Sequence, residues 1–462
     1  MAKRSESTLV IGPLRLRKVL TLWDLIFYGI VLIQPIAPIP LFGVAEKLSN
    51  GHTVTTLLIA MFAMMITAFS YGRMAGIYPS AGSAYTYVGK GLDPYLGFLV
   101  GWAMLLDYIL VPLINTIWIS VALHSRYFPQ MPYAVAAFLV VGFMTILNLR
   151  GIKSSARANK ILLLWMCVVI AAFFYYAVRY LFLTQGWNGL FSIKPFYDPK
   201  TFDTHRIWSA TSFAALTYIG FDGVTTLTEE VENPKRNVLL ATVMVCFLTG
   251  IFGGLEVYLG QRVWPNWHEF VNLETAFMDV CRRAGGFPLF GAMGGILILA
   301  SLGSGLTGGL GAARLLFGMG RDAVLPRKFF AHLHYETNTP TYNIILIGVV
   351  AFAGAVALNY LGNAYQHAGE LLNFGAFLAF MGVNLTVFWQ FSVVNRKRRR
   401  WHVLSDALLP LFGFVFCAII WWNLNILAKI AGGLWFLIGV VYIGYSTRGF
   451  RVKPKIIDFR EP

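Results

Sequence analysis

Long apolar runs recur along nearly the whole chain, and short polar connections separate them. Each run covers roughly 20 residues, the length that an α-helix needs to cross the hydrocarbon core of a bilayer. Strands of a membrane barrel would instead alternate apolar and polar residues over about 10 positions. The pattern therefore predicts an all-α membrane protein with twelve transmembrane helices, at about residues 20–46, 54–77, 94–123, 131–148, 161–184, 207–230, 238–261, 286–312, 341–360, 368–393, 405–424 and 428–446.

The composition supports one membrane domain. Hydrophobic residues make up 57% of the chain and charged residues 13%, whereas soluble domains carry about 25% charged residues. The longest hydrophilic connections, near residues 185–206 and 262–285, are too short to fold alone. We predict a single domain at residues 20–446, with polar tails at residues 1–19 and 447–462.

The net charge of +16 is distributed asymmetrically. If the N-terminus is cytoplasmic, 27 of the 37 Lys and Arg residues fall in the tails and the inner connections. Positive charge is enriched on the cytoplasmic side of membrane proteins, so both termini are predicted to be cytoplasmic. The basic run at residues 396–400 is interpreted as a topology anchor that contacts anionic lipid, and not as a nucleic-acid site.

Two predicted spans are interrupted. Span one contains Pro35, Pro38 and Pro40, and each proline removes a backbone donor and clashes with the preceding turn of a helix. Span six contains two glycines, at positions 220 and 223, around Phe221 and Asp222. One alternative is that proline and glycine are simply common in membrane helices.

If spans one and six correspond, the chain divides into five helices, five helices and two appended helices. The first repeat would cover about residues 20–184, the second about 207–393, and the extra helices about 405–446. An odd number of helices in each repeat makes the repeats opposite in orientation. The sequence therefore predicts an inverted repeat whose discontinuous helices meet around a substrate near the membrane midplane.

Two carboxylates, Asp107 and Asp222, lie in the middle of apolar spans. A charge at this depth is costly, so acids placed there usually face a bundle interior or a water-filled path. Both are predicted to belong to a transport site; the alternative is a hydrogen bond to a neighbouring helix. A carboxylate can pair with an ammonium group, and it can also carry a proton. The sequence does not separate these two roles.

Other polar groups lie near these acids. Tyr108 can donate and accept at the entry to the site, and Phe221 can close over a substrate. Asn115 lies just over two turns after Asp107 and is expected to bond another helix or the substrate. Glu229 and Glu230 are candidate proton-coupling or gating groups, unless they pair with Lys235 or Arg236.

Several other patterns have structural interpretations. The glycine-rich stretch at 303–311 lies inside an apolar helix, where small residues let helices approach closely. His332 and His334 lack metal-ligand spacing, so no metal site is expected. The four cysteines, Cys167, Cys246, Cys281 and Cys417, are interpreted as core fillers.

Several separated motifs resemble the amino acid-polyamine-organocation superfamily. They are residues 79–87, 97–102, 105–108, 220–223, 229–230 and 233–237. Within that superfamily, residues 81–87, 105–108, 225–230 and 319–322 look most like the bacterial putrescine importers. The resemblance implies a LeuT-like fold and secondary active transport, often driven by protons, in a bacterial-type inner membrane.

The chain departs from its relatives in span one. Amino acid members of the superfamily commonly have a Gly-Ser-Gly break whose amides hold a carboxylate, whereas this chain has three prolines. Putrescine importers carry an acid in the break where Pro40 or its neighbour stands here. Some relatives also place a lysine in span five, where this chain is apolar around Met166. A coupling proton must therefore bind elsewhere.

The sequence thus predicts a proton symporter that imports a polyamine or another small organic amine by alternating access. An amino acid permease and an amino acid/amine antiporter are the alternatives. An enzyme would need a clustered nucleophile and base, and a channel would need repeated pore motifs. The sequence shows neither pattern, so a transporter is expected. We expect no cofactor beyond the coupling H⁺, and no partner beyond the substrate and lipid. The predicted substrate-binding residues are Gln34, Ile36, Ala37, Pro38, Asp107, Tyr108, Phe221, Asp222 and Gly223.

Overall fold

The computed structural model describes residues 18–79, 82–151, 156–321, 325–334, 339–394 and 402–454, with the backbone alone at 156–159. Parts of the sequence patterns lie outside the described residues. These are residues 1–17 and 455–462 of the two tails, the basic run at 396–400, Asp322, and Ser80 and Ala81 of the motif at 79–87.

The described residues form sixteen α-helices. Those of the first half are α1 (Leu22–Ile33), α2 (Phe42–Ser49), α3 (Thr53–Ile77), α4 (Ser83–Gly91), α5 (Pro94–Ala122), α6 (Tyr133–Leu149), α7 (Ala156–Gln185) and α8 (Trp187–Leu190). Those of the second half are α9 (Thr204–Ala214), α10 (Pro234–Val263), α11 (Ala276–Arg321), α12 (Arg327–Phe330), α13 (Thr341–Leu361), α14 (Ala364–Phe388), α15 (Leu409–Trp422) and α16 (Ile426–Ser446).

Nine helical stretches of the described chain are long and apolar enough to cross a membrane. They contain α3, α5, α7, α10, α11, α13, α14, α15 and α16. The shorter apolar helices α1 and α6, and the interrupted segment at 204–230, occupy the other three predicted spans. The all-α membrane fold is thus confirmed, while the count of twelve crossings and the two repeats remain predictions.

The first span is interrupted where the prolines predict it. Gln34 has a φ of 69°, which ends α1, and Pro35 has no N–H to donate to the carbonyl of Val31. The next residues form successive short turns, of which the Ala37 N–H to Gln34 carbonyl bond of 3.0 Å is the first. A helix resumes only at Phe42.

The sixth span is interrupted around Gly220. α9 ends at Ala214 and continues as a 3₁₀ turn over Ala215–Tyr218. Gly220 then adopts a φ of 112°, and Phe221–Glu230 forms a 3₁₀-helix of 10 residues. Runs of 3₁₀-helix beyond about four residues are uncommon and often mark a functional hinge.

Small residues allow α11 to approach α5 and α6. A Cβ added at Gly308 would lie 2.4 Å from Val111, and one at Gly305 would lie 2.6 Å from the sulfur of Met144. The predicted structural role of the 303–311 stretch is therefore confirmed. A separate bend in α11 occurs at Gly286, whose φ is 71°.

The last helix is fastened to α5 by a pair of tryptophans. Trp102 of α5 and Trp435 of α16 stack with ring centroids 4.8 Å apart. Each indole N–H donates to the backbone carbonyl of the other residue, at 2.9 Å in both directions. We call this reciprocal contact the tryptophan clasp.

The cysteines divide by location. Cys246, Cys281 and Cys417 are buried, in agreement with the predicted role as core fillers. For Cys167 the prediction is wrong, because this residue lies on the exposed side of α7. α7 borders the helix bundle, so apolar surroundings in the sequence do not imply burial there.

Candidate functional site

The two interruptions lie against each other, as predicted. A Cβ added at Gly220 would lie 3.8 Å from a side-chain carbon of Ile33 and 3.9 Å from the carbonyl oxygen of Leu32. A Cβ at Gly223 would lie 2.7 Å from the side chain of Leu32. The end of α1 therefore packs directly on the irregular part of span six.

A cavity of about 140 Å³ lies beside this junction. Gln34, Ile36 and Ala37 of the first interruption line it, as does Ile219 of the second. The remaining walls come from α5, α11 and α14, and they include Asn115, Ser301, Ser304 and Tyr365. One cavity therefore joins both broken spans with three continuous helices.

The polar groups that line the cavity are neutral. The amide nitrogen of Gln34 donates to the carbonyl of Ala300 at 3.2 Å, which ties the first interruption to α11. The amide nitrogen of Asn115 donates to the hydroxyl of Ser304 at 3.2 Å. Asn115 therefore makes the expected helix-to-helix hydrogen bond and also faces the cavity.

Neither predicted aspartate lines the cavity, although each lies close in the chain to a residue that does. Asp107 precedes the lining residue Val111 by one helical turn, and Asp222 follows the lining residue Ile219 by three positions. The Oδ1 atom of Asp107 is buried, without a hydrogen-bond partner among the described residues. The two carboxylates are close enough for their charges to interact. We call Asp107 and Asp222 the acidic pair.

Tyr108 lies beside the acidic pair. Its ring would be 3.6 Å from a Cβ added at Gly311 of α11, and its hydroxyl is within electrostatic range of both aspartates.

Pro38 and Phe221 do not line the cavity. The ring of Pro38 lies 3.0 Å from the Cβ position of Gly253 on α10. Phe221 is fully buried, with ring centroids 5.4 Å from Tyr71 and 5.2 Å from Phe380. In this conformation Phe221 is part of an aromatic core cluster, and the role as a lid stays a prediction.

Hydroxyl groups surround the other side of Asp222. Thr225 donates to the Asp222 carbonyl at 2.7 Å and lies 3.3 Å from the hydroxyl of Ser83 on α4. The buried hydroxyl groups of Tyr71 and Thr86 have no hydrogen-bond partner within the described part of the chain. These groups form a polar region between the acidic pair and the end of span six.

Glu229 and Glu230 lie at that end and are partly exposed. The Glu230 carbonyl accepts the N–H groups of residues 19 and 20, at 2.9 and 3.0 Å. The two ion pairs found among the described residues lie elsewhere: Arg73 with Asp406, and Arg126 with Asp279. The structure therefore does not show the alternative pairing of Glu229 or Glu230 with a basic residue of α10.

Three buried glutamates escaped the sequence-based prediction: Glu46, Glu256 and Glu370. Glu46 accepts a hydrogen bond of 2.9 Å from Gln261, and Glu370 accepts one of 2.7 Å from Gln366. Neither carboxylate oxygen of Glu256 has a partner among the residues that the structure describes. Glu256 lies in the interior of a predicted span, which was the signal that identified Asp107, whereas Glu46 and Glu370 lie near the ends of theirs.

Comparisons with known proteins agree with this architecture. A family model described as "Amino acid permease" matches residues 20–457. The low-affinity putrescine importer PlaP of Escherichia coli is 34% identical, over 94% of this chain and 95% of that protein. The branched-chain amino acid permease BcaP of Lactococcus lactis is 26% identical over 93% and 95%. The methylthioribose transporter of Bacillus subtilis is 26% identical over 94% of both.

Proposed function

Because the chain belongs to the amino acid permease family, we propose that this multi-pass membrane transporter imports a polyamine or another small organic amine. Import would occur by proton symport with alternating access, in a bacterial-type inner membrane and with both termini cytoplasmic. The putrescine importer from Escherichia coli supports an amine as the substrate class.

The acidic pair is the observation that carries this proposal. Two neighbouring carboxylates attract an ammonium group through charge-assisted hydrogen bonds. The C-terminal end of α1 faces the same junction, and the carbonyl end of a helix carries partial negative charge. Pro35, Pro38 and Pro40 leave this interruption short of the backbone N–H groups that would bind a carboxylate. The electrostatics therefore favour a cationic group.

The coupling proton would bind to the same pair. Ionisation of one carboxylate disfavours ionisation of the other when their charges interact without a cation between them, so one proton can take the place of an ammonium group. Binding of the amine and protonation of the pair would then alternate. This competition offers a physical route to coupling without a lysine in span five.

Uptake into proteoliposomes tests the proposal. Radiolabelled putrescine and spermidine should enter faster when an inward proton gradient is imposed. Asp107→Asn keeps the volume of the side chain but removes its charge, so the protein should fold while uptake falls by about tenfold or more. Asp198→Asn in an external connection serves as the matched control. Uptake by Asp107→Asn at the wild-type rate would show that Asp107 only packs between helices.

An amino acid permease is the second candidate, and the neutral lining of the cavity favours it. Hydroxyl and amide groups, such as those of Gln34 and Ser301, suit a zwitterion as well as an amine. Competition separates the candidates: putrescine should inhibit uptake better than ornithine, and agmatine better than arginine. If the parent amino acids inhibit better throughout, the permease interpretation replaces the amine importer.

An amino acid/amine antiporter would use the same site in a different cycle. Preloading the liposomes with an amino acid should accelerate amine entry in an antiporter but should not be required for a symporter. The same preparation thus distinguishes exchange from net uptake.

A further inference from the structure

Glu256 is a fully buried carboxyl group that the proposed site does not use. It lies in the second half of α10, its exposure is 0%, and neither of its oxygens has a hydrogen-bond partner among the described residues. An ionised carboxylate in such a position is strongly disfavoured, because burial removes water and nothing replaces it. The neutral, protonated acid is the form that this environment accepts.

The helix face that carries Glu256 packs against the segment that follows the first interruption. Gly253, one turn earlier, has its Cβ position 3.0 Å from the ring of Pro38. Gly260, one turn later, has its Cβ position 3.2 Å from the ring of Phe42. Residues separated by three or four positions share a helix face, so Glu256 faces the region between Pro38 and Phe42.

The other neighbours of Glu256 do not offer a countercharge. The titratable groups within electrostatic range are the thiols of Cys167 on α7 and Cys281 on α11. Glu46 of α2 contacts the same helix, and its carboxylate is bonded to Gln261 of α10. Aromatic rings close the space, since Phe277 of α11 lies 5.2 Å from Phe42.

We propose that Glu256 is a proton-binding site whose occupancy is tied to the packing of residues 38–42 against α10. While the segment is packed, one carboxylate oxygen holds a proton. When the segment moves away, water reaches Glu256, the same O–H bond breaks, and the proton passes to water. For its part in transport this inference rests on the proposed function, because alternating access supplies the movement of the first span.

Carbodiimide labelling of the full-length wild-type protein tests the proton site without any transport measurement. Dicyclohexylcarbodiimide reacts with protonated carboxyl groups in apolar surroundings, and mass spectrometry locates the adduct. We expect Glu256 to be labelled at acidic pH, and the labelling to decline as the pH is raised to alkaline values, because the acid ionises. Glu256→Gln provides the blank for that peptide. An unlabelled Glu256 throughout this range would overturn the proposal.

Two neighbouring glycines test the link to residues 38–42. Gly253→Ala places a methyl group 3.0 Å from Pro38 and should displace the segment, whereas the nearest atom to a Cβ at Gly254 is 3.8 Å away. As the pH is raised, labelling of Glu256 should therefore begin to decline at a lower pH in Gly253→Ala than in the wild type. In Gly254→Ala the pH profile of labelling should match the wild type. Identical pH profiles in both variants would show that Glu256 does not sense the segment.

The pH dependence of uptake shows whether the site takes part in transport. Glu256→Gln mimics the protonated acid, so its uptake should lose the pH dependence that one titrating proton supplies, which is at most about tenfold per pH unit. Glu46→Gln should keep the wild-type pH profile. An unchanged profile in Glu256→Gln would remove the site from the cycle. If the wild type takes up no amine and labelling still follows pH, the proposed substrate is wrong and the proton site stands. If the wild type takes up the amine but Glu256 is not labelled, the proposed function stands and the proton site is wrong.

Discussion

Substitution of Gly220 by alanine isolates the contribution of the second interruption. Gly220 has a φ of 112°, in a region that residues with a side chain rarely adopt. A methyl group fits beside its neighbours, because the nearest atom to an added Cβ is the Ile33 side-chain carbon at 3.8 Å, an ordinary van der Waals distance. Any effect of the methyl group must therefore come from the backbone conformation and not from a collision.

The magnitude follows from this geometry. A left-handed conformation costs an L-residue roughly 1–2 kcal/mol, and ordinary van der Waals contact at Gly220 adds no further penalty. The broken conformation should lose that amount relative to any competing conformation in which residue 220 has a negative φ. A difference of this size corresponds to a change of about 5–30-fold in the equilibrium. Uptake that depends on the broken conformation should fall by a similar factor.

Initial rates of uptake per folded molecule, together with thermal unfolding in detergent, measure this effect. Gly51→Ala is the matched control, because Gly51 has a φ of 87°, has open space around it, and lies between α2 and α3. Both variants should unfold at lower temperature, but only Gly220→Ala should transport more slowly.

Two results would refute the reasoning. Wild-type uptake in Gly220→Ala would mean that transport does not require the left-handed conformation. Equal loss of uptake in Gly220→Ala and Gly51→Ala would attribute the effect to general stability and not to the interruption.

Three further substitutions address Phe221 and two polar contacts elsewhere in the structure. Phe221→Ala should destabilise the protein by about 3–5 kcal/mol in thermal unfolding, because the ring is fully buried; a changed KM with normal stability would instead indicate a lid. Asp279→Asn breaks the partly buried pair with Arg126, whose contacts are 2.9 and 2.5 Å, and should lower the free energy of unfolding by about 3 kcal/mol. An unchanged thermal unfolding temperature would show that the pair is dispensable. Burial lowers the pKa of His52 below its ordinary value of 6.5, against the opposing effect of Asp198. His52 contacts the hydroxyl of Thr201 in the connection before α9, at 3.1 Å. Packing of that connection on His52 should therefore weaken as the pH falls below 6.5 and the imidazole is protonated. Hydrogen exchange at residues 201–203 should show this change in the wild type and not in His52→Gln.

The interruptions were predictable because their causes are local. Pro35 lacks an N–H whatever surrounds it, and the glycines at 220 and 223 permit backbone conformations that other residues resist. Asp107 was predictable for a similar reason, since an acid in an apolar span is costly wherever the helix packs.

Features that depend on how helices are rotated were not predictable in this way. The direction of Phe221 is set by Tyr71 and Phe380, which are distant in the sequence. Ser301 and Tyr365 reach the cavity only because α11 and α14 pack beside the broken spans. Periodicity places such residues on a helix face, but it does not say which neighbour that face meets.

Glu256 was missed for a different reason. The argument that identified Asp107 applies equally to an acid in span seven, so the signal was present in the sequence. The sequence could not show which buried acid has a hydrogen-bond partner. Glu46 and Gln261 are 215 positions apart and still bond, whereas Glu256 has no partner among the described residues.

The tryptophan clasp has a mechanical consequence for the helix that carries Asp107. Two hydrogen bonds and a ring stack join α5 to α16 five residues before that aspartate, so α5 and the C-terminal helix are expected to move as one rigid unit. In the proposed cycle of alternating access, the displacements would then occur in the broken spans, and Asp222 would move relative to Asp107. Cutting the chain before α16 would remove this contact from α5 and leave the position of Asp107 less firmly fixed.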